Sequence, residues 1–147
     1  MHKELNLFKG LFQPFVNISI LHISNGVDFI NPTIEEISSS LEGNVKYINF
    51  IDEKSARLRA SAREYEYIIL SDILFYCPNK DKILKLVYKA LENSANIIII
   101  EKKSNENLEE LKILLEETSF VAINNIDLFE DYHLITAKKL HMWGSGL

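Results

Sequence analysis

The chain has 147 residues, of which 47% are hydrophobic and 25% are charged, and its formal net charge is −5. These values predict a single globular domain, residues 1–147, with one substantial core. The acidic balance argues against extensive nucleic-acid binding, because contacts to phosphates need a basic surface. No apolar run approaches the ~20 residues that a membrane-spanning helix needs.

Cysteine usage and the N-terminal residues predict a cytoplasmic location. Cys77 is the only cysteine, so an internal disulfide is excluded and nothing calls for an oxidising compartment. The first residues are mixed and lack the apolar stretch of a signal peptide. We expect Cys77 to be a small buried residue rather than a nucleophile.

Residues 1–15 predict a segment that covers one side of the core. Leu5, Phe8 and Phe12 lie on one face of a short helix, and Pro14 would end it. Residues after this segment are more strongly patterned.

The first strand and its following turn are predicted at residues 15–23 and 24–26, the latter reading Ser-Asn-Gly. Residues 31–33, Asn-Pro-Thr, then open a helix, because proline suits the first helical turn. Thr33 and Glu36 have the spacing of a capping box.

The rest of the chain alternates strands and helices until a final pair of strands. In order, the predicted elements are strand 45–51, helix 53–63, strand 65–70, helix 81–93, strand 95–101, helix 105–118, and strands 121–128 and 133–140. Alternation predicts an α/β fold with a mainly parallel sheet and helices on both faces. The short connection between the last two strands makes them antiparallel. We expect residues 141–147 to be a loose tail.

A parallel sheet with an antiparallel last strand resembles class I S-adenosylmethionine-dependent methyltransferases. Residues 67–74, Tyr-Ile-Ile-Leu-Ser-Asp-Ile-Leu, resemble that family's fourth strand, and the isoleucines at 97–100 resemble its fifth. Phe120 resembles the aromatic residue before the sixth strand. Asp52 follows the second strand, where the family usually carries an acidic residue that binds the cofactor ribose. The resemblance implies a three-layer, Rossmann-like methyltransferase sheet.

The interval between the second strand and the next predicted strand is short. Asp52 and Tyr65 are 13 positions apart, whereas the family normally fits a helix, a strand and another helix there. We therefore expect the third strand of the family to be missing. It is an edge strand in that sheet, so its loss is tolerable.

The glycine-rich turn of the family is degenerate in this chain. Its pattern is acid-x-Gly-x-Gly-x-Gly after the first strand. Aligned on Gly26, the chain has His22 at the acid, Ser24 at the first glycine and Asp28 at the third. Such glycines allow unusual backbone angles and close approach to a ligand.

Cofactor contacts are expected beyond the carboxyl ends of the strands, where open α/β sheets bind ligands. The resemblance places them at Ser24, Asn25, Gly26, Asp28, Asp52 and Asp72. Asp52 is equally well explained as a strand-end acid or a helix cap. For Asp72 we favour capping of the turn at 73–78 over lining the methyl-transfer side. No histidine spacing indicates a metal site.

Three further side chains near these strand ends have a structural and a functional interpretation. Glu101 precedes two lysines, and we expect it to form an ion pair at the surface. His22 lies in a predicted strand, and we expect it to be a hydrogen-bonded histidine of the core. Tyr76 could stack on a substrate or cover the core.

The resemblance implies S-adenosylmethionine as cofactor and methyl transfer to a small molecule or a protein. No catalytic residue is assigned, but methyl transfer relies chiefly on holding donor and acceptor in line. The alternative is a non-catalytic scaffold of the same fold, acting as a homodimer or as a partner subunit. The altered turn and the missing third strand favour this alternative, whereas Asp52 and the open edge of the sheet favour the methyltransferase.

Overall fold

The computed structural model describes residues 2–50, 63–105 and 107–140. The elements in these residues are α1 (His2–Lys9), β1 (Ser19–Ser24), α2 (Asn31–Ser40), β2 (Asn44–Asn49), β3 (Tyr65–Ser71), a 3₁₀ turn (Leu74–Tyr76), α3 (Lys80–Ala90), β4 (Leu91–Lys102), α4 (Leu108–Glu117), β5 (Phe120–Ile126) and β6 (Tyr132–Lys139). No helix in this part of the chain is long and apolar enough to cross a membrane.

The described strands form one six-stranded sheet in the order β2-β1-β3-β4-β6-β5. Strands β1 to β4 pair in parallel, and β6 runs antiparallel to both β4 and β5. The predicted α/β class and the antiparallel end are therefore confirmed. The helix predicted at 53–63, with Asp52 before it, lies almost entirely outside the described residues.

The order of strands places a switch point between β1 and β3. The chain first moves from β1 outward to β2, and it then returns past β1 to build β3 and β4 on the other side. Connections on the two sides of a switch point diverge, which leaves a crevice at the carboxyl ends of the strands. The candidate site lies at that edge.

Apolar side chains cover both faces of the parallel strands, as expected for a sheet between two layers of helices. Successive residues of a strand point to opposite faces, so Ile68 and Ile69 enter different cores. The Ile68 core packs against α3 and α4. The Ile69 core packs against α1 and α2.

The first strand begins four residues later than predicted. Asn17 has a left-handed backbone (φ 63°), and its N–H donates to the Leu41 carbonyl at 2.7 Å. Extended pairing cannot continue through such a residue. Phe15 and Val16 consequently lie outside the strand and are exposed.

The predicted capping box at Thr33 and Glu36 is wrong, although α2 does begin at Asn31 with Pro32 in its first turn. The N-cap residue is Ile30, and no side chain caps the helix. Thr33 is buried instead. Glu36 forms an ion pair with Lys9 at the end of α1, so its carboxylate joins two helices rather than closing one.

Candidate functional site

Backbone hydrogen bonds tie together the carboxyl ends of β1, β3 and β4. The Asn25 N–H donates to the Ser71 carbonyl at 3.0 Å, and the Asp72 N–H donates to the Ile100 carbonyl at 2.7 Å. Residues that are distant in sequence therefore meet at one edge of the sheet. Of the predicted cofactor contacts, Ser24, Asn25, Gly26 and Asp72 come together here.

The turn after β1 is closed by Ser24. Its Oγ donates to the Val27 carbonyl and accepts from the Val27 N–H, both at 2.8 Å. Gly26 adopts φ +74°, and a Cβ added there would meet no atom within 4 Å. The turn thus keeps a glycine-dependent bend with open space beside it, although serine replaces one of the family's glycines. Asp28 is exposed beyond the turn.

Asp72 carries the most unusual geometry at this edge. It is 3% exposed and has a left-handed backbone, φ 57°. Its Oδ2 lies 3.6 Å from Lys102 Nζ, whereas its Oδ1 is buried and has no hydrogen-bond partner. Burial raises the pKa of this carboxyl, and Lys102 opposes that rise. Such a residue costs about 1–3 kcal/mol and is typical of functional sites.

The predicted cap of the turn after β3 is formed by Glu101 and not by Asp72. Glu101 is fully buried, so the expected surface ion pair is wrong. Its carboxylate accepts from the N–H groups of Ile73, Leu74 and Phe75 at 3.0, 3.2 and 3.3 Å. A buried charge is tolerated when several donors satisfy it. The position of Glu101 directly after four buried isoleucines was the available signal.

His22 is a core histidine, as predicted. It is fully buried, its Nδ1 lies 2.9 Å from Asn31 Oδ1, and its Nε2 lies 2.7 Å from Ser71 Oγ. Because an amide oxygen only accepts, we assign the proton to Nδ1 and the donor role to the serine hydroxyl. Burial lowers the pKa of His22 to about 4, and the hydrogen bond that His22 donates to Asn31 opposes this decrease. The neutral ring therefore joins β1, α2 and β3.

Two residues near the 3₁₀ turn differ sharply in exposure. Cys77 is buried, and its thiol lies 3.3 Å from the Ile73 carbonyl, as expected of a small core residue. Tyr76 is 48% exposed and its ring meets Phe75 edge to face. It does not cover the core, and stacking on a substrate stays a prediction.

The Asp52 contact and the possibility of a metal site depend on which residues the structure describes. Asp52 lies outside the described residues, and its contact to a cofactor ribose stays a prediction. Within residues 2–50, 63–105 and 107–140, no group of three or more His, Cys, Asp or Glu side chains could hold a metal ion.

Comparison of the sequence with protein-family models and with curated proteins finds no match. Solved structures do match. A methyltransferase of Aquifex aeolicus dependent on S-adenosylmethionine has a TM-score of 0.75 at 12% identity, over 92% of this chain and 89% of that one. An S-adenosylmethionine-dependent methyltransferase of Mesorhizobium loti has a TM-score of 0.66 at 10% identity, over 90% of this chain and 96% of that one.

A third solved structure is a larger enzyme, phosphoethanolamine N-methyltransferase 2 of Haemonchus contortus in complex with S-adenosyl-L-methionine. Its TM-score is 0.69 at 12% identity, and the match covers 95% of this chain but 53% of the enzyme. At such low identities the likeness concerns the fold. Sheet order, switch point and antiparallel end agree with it, and the chain has the fold of the class I S-adenosylmethionine-dependent methyltransferases.

Proposed function

We propose that the protein binds S-adenosylmethionine at the carboxyl edge of β1 and β3 and transfers its methyl group to a small-molecule or protein acceptor. The observation that carries this proposal is the unpartnered Oδ1 of Asp72. A buried carboxylate oxygen without a donor is costly for the fold alone. It is explained if a ligand supplies the donor.

The residues at this edge fit the chemical groups of that cofactor. The amino group of its methionine part is a cationic donor, and Asp72 Oδ1 would accept from it. Gly26 leaves space beside the turn, so the ligand can approach the backbone closely. Asp52 would accept from the ribose hydroxyls, since one carboxylate can take two hydrogen bonds.

The chemistry of transfer asks little of the protein beyond position. The cofactor supplies, when bound, a methyl group on a positively charged sulfur. The protein must hold an acceptor in line with that methyl group and keep water away, which proximity and orientation achieve without a general base. The exposed rings of Phe75 and Tyr76 lie four and five residues after the end of β3 and would shelter this side of the site.

Calorimetry with S-adenosylmethionine and S-adenosylhomocysteine tests the proposal directly. At protein concentrations of about 100 µM, affinities down to the high micromolar range give measurable heat. We expect binding of both ligands. Asp72→Asn should weaken it about tenfold or more, because a charged hydrogen bond is lost. Asp81→Asn, which removes an exposed charge paired with Lys85, is the matched control and should bind as the unmodified protein does.

Absence of heat with either ligand, in protein shown to be folded, would contradict the proposal. Equal binding by Asp72→Asn would remove Asp72 from the site. Asp52→Ala tests the ribose contact in the same way. The cytoplasmic location stays a prediction.

The second candidate is a non-catalytic subunit with the methyltransferase fold, as a homodimer or with another protein. The closed turn favours it, because Ser24 binds back to Val27 and the Asn25 N–H is engaged by Ser71. The N–H groups of Asn25 and Val27 are then not available to a ligand. Folded protein that binds neither ligand and sediments as a dimer would support this candidate over the enzyme.

A further inference from the structure

A cavity of about 290 Å³ lies between α1, the segment after the Gly26 turn, and the β5–β6 connection. The described lining residues are of two kinds, aromatic and acidic. They are Phe29, Phe129 and Tyr132, and Glu4, Glu130 and Asp131. No basic side chain belongs to this described lining.

The aromatic wall is a packed cluster. The Phe29 ring meets the Phe129 ring edge to face, with centroids 5.1 Å apart, and it lies 5.6 Å from the Tyr132 ring. Phe129 is 4% exposed and belongs to the core on that side of the sheet. The wall is therefore held by the core, and a ligand would meet ring surfaces that are already in position.

The cavity is a neighbour of the candidate cofactor site. Tyr132 is the cross-strand partner of Lys102 in the β4–β6 pair, and Lys102 contacts Asp72. Directly opposed residues of two strands place their side chains on the same face. Phe29 follows Gly26 by three residues. The aromatic wall and Asp72 thus lie at the same edge of the sheet.

Charge and shape favour a small cation in this cavity. Aromatic faces attract cations, most strongly where water is displaced. Carboxylates add to that attraction and repel anions. Two bases at the end of β4 have their Nζ atoms near carboxylates outside the lining. Lys102 Nζ lies 3.6 Å from Asp72, and Lys103 Nζ lies 3.5 Å from Asp127. The volume is at the low end for ligand pockets and suits a compact group.

We propose that this cavity binds a compact cationic group of the methyl acceptor, an alkylammonium or quaternary ammonium. The role as acceptor site rests on the proposed function, whereas the cation affinity does not. The ring faces supply the apolar contact, and the carboxylates of Glu130 and Asp131 supply the charge. An acceptor held here would lie beside the edge at which Asp72 holds the cofactor.

Binding of choline, measured by NMR titration of the protein without cofactor, tests the cavity. The neutral isostere 3,3-dimethylbutan-1-ol has the same shape without the charge. We expect choline to shift signals of Phe29 and Tyr132, with a dissociation constant of about 1–10 mM, and the isostere to bind at least about fivefold more weakly. The double variant Glu130→Gln/Asp131→Asn should weaken choline binding about threefold to tenfold.

Asp127→Asn is the matched control, because it removes an exposed charge from the same connection outside the lining. It should change choline affinity less than about twofold. Equal binding of choline and its isostere, or an unchanged affinity in the double variant, would overturn the proposal. Choline binding without any S-adenosylmethionine binding would support the cation site while contradicting methyl transfer. Binding of S-adenosylmethionine without binding of choline would contradict the cation site but not the proposed methyl transfer.

Discussion

Asp72 unites three features that are unfavourable for folding at a single residue. Its backbone is left-handed, its carboxylate is buried, and one carboxylate oxygen lacks a donor. Natural proteins tolerate such conflicts mainly where function needs them. Stability and cofactor binding should therefore respond to this residue in opposite directions.

Asp72→Asn should leave the free energy of unfolding unchanged or raise it by up to about 1 kcal/mol. Burial raises the folded-state pKa of Asp72, so stability falls as pH rises from the unfolded value through the folded one. The variant removes this loss. Lys102 is 44% exposed, so the broken ion pair costs little.

Urea denaturation at pH 7 measures this effect, with Asp81→Asn as the control for a lost surface carboxylate. We expect the control to change stability by less than about 0.5 kcal/mol. If Asp72→Asn lowers the free energy of unfolding by more than about 1 kcal/mol and the control does not, Asp72 stabilises the fold. That result would contradict the view that its burial and geometry are unfavourable for folding.

The lowered pKa of His22 predicts that the protein loses stability in mild acid. Its pKa is about 4 in the folded protein, whereas the pKa of an exposed histidine ring is 6.5. Below pH 6.5 the unfolded chain binds a proton that the folded chain does not, so stability falls from about pH 6.5 to about pH 4 and changes no further below it. A pKa shift of this size lowers the free energy of unfolding by about 3 kcal/mol at pH 4 and below, relative to neutral pH.

His22→Gln should flatten the pH dependence of the free energy of unfolding in this window, because glutamine does not titrate. His133→Gln is the control, because it makes the same replacement at a position on β6 that is half-buried rather than fully buried. The slope should change less in this variant than in His22→Gln. An unaltered slope in His22→Gln would contradict the assignment of the buried neutral imidazole.

At the scale of elements, the segment after β3 is organised by β4. The 3₁₀ turn Leu74–Tyr76 has no side-chain cap of its own. Its first N–H groups are satisfied by Glu101, which β4 delivers at the end of an apolar run. The capping carboxylate is 28 residues away from Ile73, so local sequence around the turn contains no sign of it.

Glu101→Gln should destabilise this turn by about 1.5–3 kcal/mol, because hydrogen bonds to a charged acceptor are replaced by weaker ones. Hydrogen exchange at the amides of Ile73, Leu74 and Phe75 should accelerate about tenfold to a hundredfold. Asn107→Ala is the comparison. Asn107 Oδ1 caps α4 through the Glu110 N–H, so the variant costs about 1 kcal/mol but leaves those three amides protected. Unchanged exchange in Glu101→Gln would contradict the cap.

At the scale of the whole molecule, β1, α2 and β2 meet at a close backbone crossing. The Asn44 N–H donates to the Ile18 carbonyl at 2.8 Å. A Cβ added to Gly43 would lie 2.2 Å from that carbonyl oxygen and 2.5 Å from Ile18 Cγ2. The crossing sets the approach of the first two strands, and a backbone atom cannot move aside as a flexible side chain can.

Gly43→Ala should therefore lower the free energy of unfolding by about 3 kcal/mol. Gly10→Ala is the matched control, because a Cβ there meets no atom closer than 3.3 Å. It should change stability by less than about 1 kcal/mol. Equilibrium unfolding in urea measures both. Equal effects of the two substitutions would show that the crossing is not tightly packed.

Most of the fold was accessible from pattern alone. The apolar run at 97–100, the helical spacing at 81–93 and the short final connection predicted the type and order of the elements correctly, because periodicity reports which faces are buried. They also led to the methyltransferase resemblance. Element ends were less accurate. A left-handed residue such as Asn17 leaves no signature in hydrophobicity, and residues 91–93, predicted as the end of a helix, lie in β4.

The candidate site was predicted less completely than the fold. Ser24, Asn25, Gly26 and Asp72 do meet at one edge, because the carboxyl ends of parallel strands must share it. Local sequence, however, could not distinguish which of Asp72 and Glu101 caps the turn and which has a buried oxygen without a hydrogen-bond donor. That distinction depends on the register of β3 against β4, which brings Asp72 and Ile100 together. Contacts between distant segments, rather than composition or spacing, decided which carboxylate caps the turn and which keeps an oxygen without a donor.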